Sequence, residues 1–352
     1  MSTMIEESTL GPVARIVAQP IPDRYARGWH YVGLDSDFSQ HPKRVESFGT
    51  QLVAYRGEDG GIHILDGYCP HMGGDLSKGC VEGNSVRCPF HEWRWGSDGI
   101  CNDIPYAKSI PVKARIKQWL TLLVNDMVFV WHDPEDRLPA QEVTIPDLGL
   151  AGSDEWTSWV VRKTRISTNC RELIDNVSDV AHFASVHHSA AFQFKNIFEG
   201  HIATQIMKGK NDDKSSFDES SEMHSHATYY GPAVMFVDMK QTINSQHVDS
   251  VWMNAHVPID LNSFNLYFGV MMKKTAGMTE EENRAFQLEY VRASQEAFDE
   301  DIAIWDSKTR VDNPVLCDGD GPINLLRQWY DQFYVDVGEV PEKWKTTREY
   351  TV

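Results

Sequence analysis

One stretch limits what this chain can become more than any other. Residues 65–95 read LDGYCPHMGGDLSKGCVEGNSVRCPFHEWRW. Cys69 and His71 form a C-x-H pair, and Cys88 and His91 form a C-x-x-H pair sixteen residues further on. Two thiolates on one iron and two neutral imidazoles on the other hold a [2Fe–2S] cluster, at a higher potential than four thiolates would. Zinc is the alternative occupant of two Cys and two His. Zinc sites more often put both Cys on one loop and both His on another; here each loop carries one of each. The chain must therefore bring two short loops to one point. Gly73 and Gly74 permit a tight turn after the first pair, and Pro70 and Pro89 stiffen both loops.

The segments around these loops read as a small all-β unit. Residues 29–32 form a first strand. Residues 51–56 and 62–65 flank the Gly-rich 57–61 and read as a hairpin, and 120–124 with 127–131 read as another around Asn125-Asp126. Pro134 and Pro139 mark its end, and 133–150 read as a linker. Residues 1–22 read as a loose lead-in. Beyond the linker, 156–167 alternate like a strand, and 208–222 read as an exposed loop. Residues 227–272 give strand-like runs carrying Tyr229, Tyr230, Met235, Phe236, Trp252, Phe264, Tyr267 and Phe268. A long helix over 279–308 opens on a capping box of Thr279 and Glu282, and 323–333 read as a further helix. The fold class is α+β. An all-β domain over 1–140 carries the two ligand loops, and a catalytic domain over 150–352 packs long helices on a sheet.

A second metal site is written in the pattern D-x2-H-x4-H, Asp179-x2-His182-x4-His187. Two His and one carboxylate on one face of Fe(II) leave positions open for O2 and substrate. Two His five apart stand about 140° apart on a regular helix. They converge only if the helix ends or bulges between them, as in a single π-type turn. His188 is adjacent and is an alternative to His187. The third ligand is a distant carboxylate, for which Asp299, Glu300 and Asp301 are candidates. The apolar stripe of their helix runs through Val291, Phe298, Ile302 and Trp305; Asp301 lies about 60° from Phe298, at its edge, and points inward best. Asp306 is further off. Asp179 can sit beside the His182 ring and accept its N–H, and a carboxylate there can also bridge two metal centres.

Charge and composition exclude several classes. With 51 acidic and 33 basic residues the net charge is −18, which repels nucleic acid and matches anionic lipid poorly; it is compatible with a basic redox partner, though many acidic proteins are merely soluble. No run approaches the ~18–20 apolar residues that span a bilayer; the best, 119–131, is broken by Asn125-Asp126. MSTMIEESTL lacks the apolar core of a leader. Cys80, Cys101, Cys170 and Cys317 show no paired spacing and read as free thiols of a reducing compartment. The expected location is the cytoplasm. No G-x-G-x-x-G follows a strand and no plant-type C-x4-C-x2-C occurs, so NAD, flavin and a ferredoxin belong to a separate reductase.

Together these motifs resemble the Rieske non-haem iron oxygenases, and within them the oxygenase component of 3-ketosteroid 9α-hydroxylase. The likeness runs from about Ala26 to Val337, through ARGWH (26–30), LDGYC (65–69), HMGGDLS (71–77), FHEWRWG (90–96), IPYA (104–107), NCRELIDN (169–176), KNIFEGHIA (195–203), YYGP (229–232) and RQWYDQFYVDV (327–337). Pro70 stands where that branch carries a basic residue, and His188 where it carries Tyr. Respiratory Rieske proteins carry a disulfide within the ligand loops; the matching places here are Met72-Gly73-Gly74, which implies no such bridge and a lower potential.

The resemblance implies a helix-grip catalytic domain over an antiparallel sheet, with an apolar cavity for a flat ligand. It implies a [2Fe–2S] cluster on Cys69, His71, Cys88 and His91, and a mononuclear iron on His182, His187 and Asp301. It implies a head-to-tail homotrimer in which Asp179 bridges His71 or His91 of one subunit and His182 of the next. The reaction implied is hydroxylation of a steroid C–H bond with O2 and two electrons from an NAD(P)H-dependent reductase carrying flavin and iron–sulfur. Alternatives are ring hydroxylation or O- or N-demethylation of another apolar substrate, a sterol desaturase relative, and an electron carrier without catalysis.

Overall fold

The computed structural model describes residues 14–18 and 20–351. The decapeptide read for a leader lies outside the described residues, as does most of the expected lead-in.

The N-terminal part is strand and turn. In chain order it runs β1 (Gly28–Leu34), β2 (Lys43–Ser47), β3 (Thr50–Arg56), β4 (Ile62–Asp66), β5 (Tyr68–Cys69), β6 (Gly74–Asp75), β7 (Cys80–Glu82), β8 (Ser85–Arg87), β9 (Arg94–Trp95), β10 (Cys101–Asp103), β11 (Gln118–Trp119), β12 (Thr121–Val124) and β13 (Met127–His132). Three sheets order them as β1-β13-β12, β11-β4-β3-β2 and β10-β9-β8-β7, and β5 pairs with β6. Both expected hairpins form: β3 pairs with β4 and β12 with β13. The second closes through Asn125 and Asp126 at φ +57° and +61°. Two left-handed residues match the twist of the flanking strands, and Asn and Asp tolerate that conformation.

Residues 133–150 carry no regular strand or helix, yet they are a packed strap and not a free linker. The Trp29 and Trp131 indoles donate to the Val143 and Arg137 carbonyls at 3.0 and 2.8 Å. Asn125 donates to Pro146 O, and Ile145 is buried. Buried indole N–H groups need acceptors, and the strap supplies them.

The second part continues with β14 (Val160–Ile166), α1 (Ala181–Ser185), β15 (Ser189–Glu199), β16 (Ile202–Asn211), β17 (Glu222–Tyr230), β18 (Val234–Ile243), β19 (Gln246–Asp260), β20 (Ser263–Met272), α2 (Glu280–Trp305), α3 (Ile323–Asp331), α4 (Glu342–Lys345) and β21 (Arg348–Thr351). Eight strands make one antiparallel sheet, ordered β14-β20-β19-β18-β17-β16-β15-β21. The exposed loop expected over 208–222 shrinks to 212–221. Lys208 and Lys210 are the outward residues of β16 between the buried Met207, Gly209 and Asn211, so polarity there marked one strand face. Among the described residues the only long helix is α2, with 26 residues; α3 has nine. The capping box forms as expected, with Glu282 N–H donating to Thr279 Oγ1 at 3.2 Å and Thr279 N–H to Glu282 Oε2 at 2.7 Å.

The sheet is covered on both faces. Along β18, Val234 and Phe236 join Trp29, Tyr31 and Phe129 of the N-terminal part in one core, and Tyr31 meets Tyr267 edge-on at 4.8 Å. Val237 and Met239 look to the opposite face. His30 on β1 and His256 on β19 are buried in this seam, 6.4 Å apart, with His132 of β13 beside them. Burial pulls His30 down to about 4 and His256 to about 3.

Candidate metal centres and cavity

The two ligand loops meet at the end of the N-terminal part. Cys69 closes β5, and its carbonyl accepts the Gly73 N–H at 2.8 Å, with Gly73 left-handed at φ +74°. On the second loop, Cys88 N–H donates to Trp93 O and Glu92 N–H to Cys88 O. Gly74 lies against the opposite loop: a Cβ there would stand 2.7 Å from Cys88 Sγ. Both thiols are buried. The His71 and His91 rings lie 4.6 Å apart, and Trp93 stacks on His71 at 4.6 Å. Burial raises Cys69 to about 11, a penalty on the thiolate that a coordinated metal reverses. His71 Nδ1 is buried without a hydrogen-bond partner among the described residues. The donor set fits a [2Fe–2S] cluster. All six cysteines are free thiols in this structure.

The second site forms where α1 stops. Val186 N–H donates to His182 O at 2.7 Å, and His187 N–H reaches the same carbonyl at 3.4 Å. That second contact spans five residues, so the last turn widens into the π-type geometry that brings His182 and His187 together; their rings lie 5.1 Å apart. His188 is left-handed at φ +55° and turns away, 3.3 Å from Asp212.

From α2, Asp301 is buried and its Oδ2 lies 3.3 Å from His187 Nε2. One donor atom each from His182, His187 and Asp301 lie within 4.8 Å of one another. Asp299 is exposed and pairs with Arg162. Glu300 is half-exposed, with Oε2 3.4 Å from His187 Nδ1. Asp306 caps the helix end. Burial lowers His182. It also acts to lower His187, but Asp301 and Glu300 outweigh it and hold that ring above its ordinary value. A site that attracts a proton this way suits a cation, and the donor set fits a ferrous ion.

Asp179 does not hold the His182 ring with its carboxylate, as the sequence suggested. Its backbone carbonyl lies 2.5 Å from His182 Nδ1, while the carboxylate accepts the His182 backbone N–H at 3.2 Å. The carbonyl fixes the tautomer and leaves Nε2 for the triad. The carboxylate stays 41% exposed.

The triad stands on the wall of a cavity of about 970 Å³, counting its open mouth. Phe183, Met235, Val237, Met239, Trp252 and Phe298 supply most of its apolar surface. Of the aromatic residues singled out from sequence, Tyr229 and Trp252 reach the cavity; Phe236, Phe264, Tyr267 and Phe268 pack in cores. Buried amides on this wall, Gln205, Gln241 and Asn254, went unread; the one signal was a polar residue at an inward strand position. On the other side of the triad, Asp175, Asp179, Lys308 and Arg327 line part of a second cavity of about 730 Å³, with Ile304, Leu316 and Ile323. His182 and Asp301 touch both cavities.

The chain matches the family model of the Rieske [2Fe-2S] domain over residues 28–119 and that of the 3-Ketosteroid 9alpha-hydroxylase C-terminal domain over 130–334. It is 44% identical over 349 residues to a 3-ketosteroid-9-alpha-monooxygenase oxygenase component of Rhodococcus rhodochrous, covering 97% of this chain and 91% of that one. It is 43% identical over 334 residues to the protein so named in Mycobacterium tuberculosis (93% and 86% covered). Among solved structures, dicamba monooxygenase bound to 3,6-dichlorosalicylic acid has a similar fold, with a TM-score of 0.70 at 18% identity, covering 88% of this chain and 98% of that one.

Proposed function

The chain belongs to the family of 3-ketosteroid-9-alpha-monooxygenase oxygenase components, and from that premise we propose that it hydroxylates a ring carbon of a 3-ketosteroid. The reaction consumes O2, two protons and two electrons and yields the alcohol and water. The observation that carries this reading is the His182–His187–Asp301 triad on the wall of an apolar cavity, in a chain that also carries a Rieske domain.

When bound, the cluster relays single electrons and the ferrous ion activates O2. Cys69, His71, Cys88 and His91 hold the first group; His182, His187 and Asp301 hold the second. The Asp179 carbonyl keeps the His182 proton on Nδ1. Phe183, Met235, Trp252 and Phe298 grip a flat apolar ligand and exclude water, which strengthens every electrostatic contact near the reacting carbon. The electrons come from a separate reductase, NAD(P)H-dependent and carrying flavin and iron–sulfur. The absence of a dinucleotide fingerprint in the sequence supports that division of labour.

The oxygenase works as a head-to-tail homotrimer, with the Asp179 carboxylate, which holds the His182 backbone N–H, reaching His71 or His91 of the next subunit. Three features support this. That carboxylate is partly exposed beside His182, a second cavity opens next to it, and the ligand-loop tip presents Met72 and Phe90 to its surroundings, 64% and 57% exposed. No helix among the described residues is long and apolar enough to cross a membrane; a cytoplasmic location is the reading supported by the free thiols.

The test is reductase-coupled turnover with a panel of 3-ketosteroids. A hydroxylated product formed with matching O2 consumption is expected. NADH consumption that no 3-ketosteroid stimulates would remove the steroid reading.

A further inference from the structure

Gln241 is out of keeping with its surroundings. It is 2% exposed and lines the cavity, and its Oε1 has no hydrogen-bond partner among the described residues. It stands on β18 in the inward series Met235, Val237, Met239, Gln241. Across the ladder it faces Val248, which packs in one apolar cluster with Phe217. A leucine would suit that wall without the desolvation cost of a buried amide. Among the described residues nothing bonds its Oε1, which leaves that acceptor open to a molecule in the cavity.

We propose that Gln241 is a specificity-determining residue that hydrogen-bonds an oxygen substituent on a terminal ring of the bound steroid. The inference rests on the steroid reading given above. The sheet register supports it. Asn254, whose Oδ1 is likewise unpartnered among the described residues, sits opposite Met235. Gln241 lies six residues further along the same strand, roughly 20 Å at ~3.3 Å per residue. Along β18 the cavity-facing residues between these two amides, Met235, Val237 and Met239, are apolar. That is the pattern of a rigid hydrocarbon frame with oxygen only at its ends. An amide offers one N–H face and one carbonyl, so a hydroxyl satisfies both and a ketone only the N–H.

Binding is read on the full-length holoprotein without reductase, by quenching of Trp252 and Trp305, which line the cavity. One ligand series varies C17 (hydroxyl, ketone, no oxygen) on a fixed 4-en-3-one. The other varies C3 in the same way on a fixed 17-ketone. Wild type is expected to bind the oxygenated members about tenfold tighter than the deoxy member. Gln241→Leu should erase that preference in one series and leave the deoxy member as tight or tighter. Gln241→Glu, which accepts but does not donate, should keep the hydroxyl ligand and weaken the ketone. Preference retained in both series by Gln241→Leu overturns the proposal, as does an equal loss for every ligand, deoxy included. Absence of quenching by every steroid in wild type defeats the steroid reading itself, and this outcome is distinct from the other two.

Discussion

The ligand-loop tip and the triad solve the same problem, holding iron by side chains, in opposite ways. At the tip, all four candidate ligands come from residues 69–91, on two turns that face each other across Gly74. At the triad, His182 comes from α1, His187 from just past its end and the third ligand from α2, more than a hundred residues later. The tip is held by local turn geometry. The triad depends on how a long helix lies against a sheet. The first is therefore sensitive to a single methyl group, and the second to anything that shifts α2.

The largest expected effect breaks the two apart. His182→Ala should lose the mononuclear iron and cut hydroxylation more than about 100-fold, beyond the cost of losing an outer partner, while the reduced cluster keeps its electron paramagnetic resonance spectrum. Asp301→Asn should follow it. Asp299→Asn, which breaks only an exposed ion pair with Arg162, should change stability by less than about 1 kcal/mol. Equal iron loss in both Asp variants would undo the assignment of Asp301.

Gly74→Ala tests the converse. The added Cβ meets Cys88 Sγ at 2.7 Å, so visible absorbance of the cluster should fall while the second iron is retained by metal analysis.

Acid should act on the seam that joins the two regions. Folding holds His30 and His256 well below the ordinary value of 6.5, so the native state keeps them neutral and the unfolded chain takes up protons. Their contribution is present above pH 6.5 and is lost as pH falls toward 4, on the order of a few kcal/mol. Thermal melts should show both regions unfolding together over that range; two separate transitions would contradict a shared core. The smallest effect is expected at the start of α2. Thr279→Ala removes the cap, costs about 1 kcal/mol and should lower the melting temperature by a few degrees without touching the cluster.

What could be read beforehand followed the same division. The C-x-H and C-x-x-H spacing, both hairpins and the capping box are local patterns, and each has a direct counterpart in the structure. The need for a widened turn between His182 and His187 followed from helix geometry alone. Asp301 emerged only as the best of three carboxylates, because its place depends on which face α2 buries. The strap at 133–150 reads as a linker from sequence, since part of its hold comes from the indole of Trp29, more than a hundred residues earlier. The role of the Asp179 carbonyl was invisible, because a backbone atom leaves no residue type behind. Gln241 carries no signal of its own in the sequence, because only its neighbours in the sheet show that it points into the cavity.

Tyr31 against Tyr267, with Phe236 and Met253 beneath β1 and β13, makes the boundary between the two regions a mechanical weld. The floor that carries Met235, Val237 and Gln241 on one side is the ceiling of the cluster-bearing part on the other. A chain cut near residue 140 would lay bare two greasy surfaces at once, and both fragments should aggregate in size-exclusion runs.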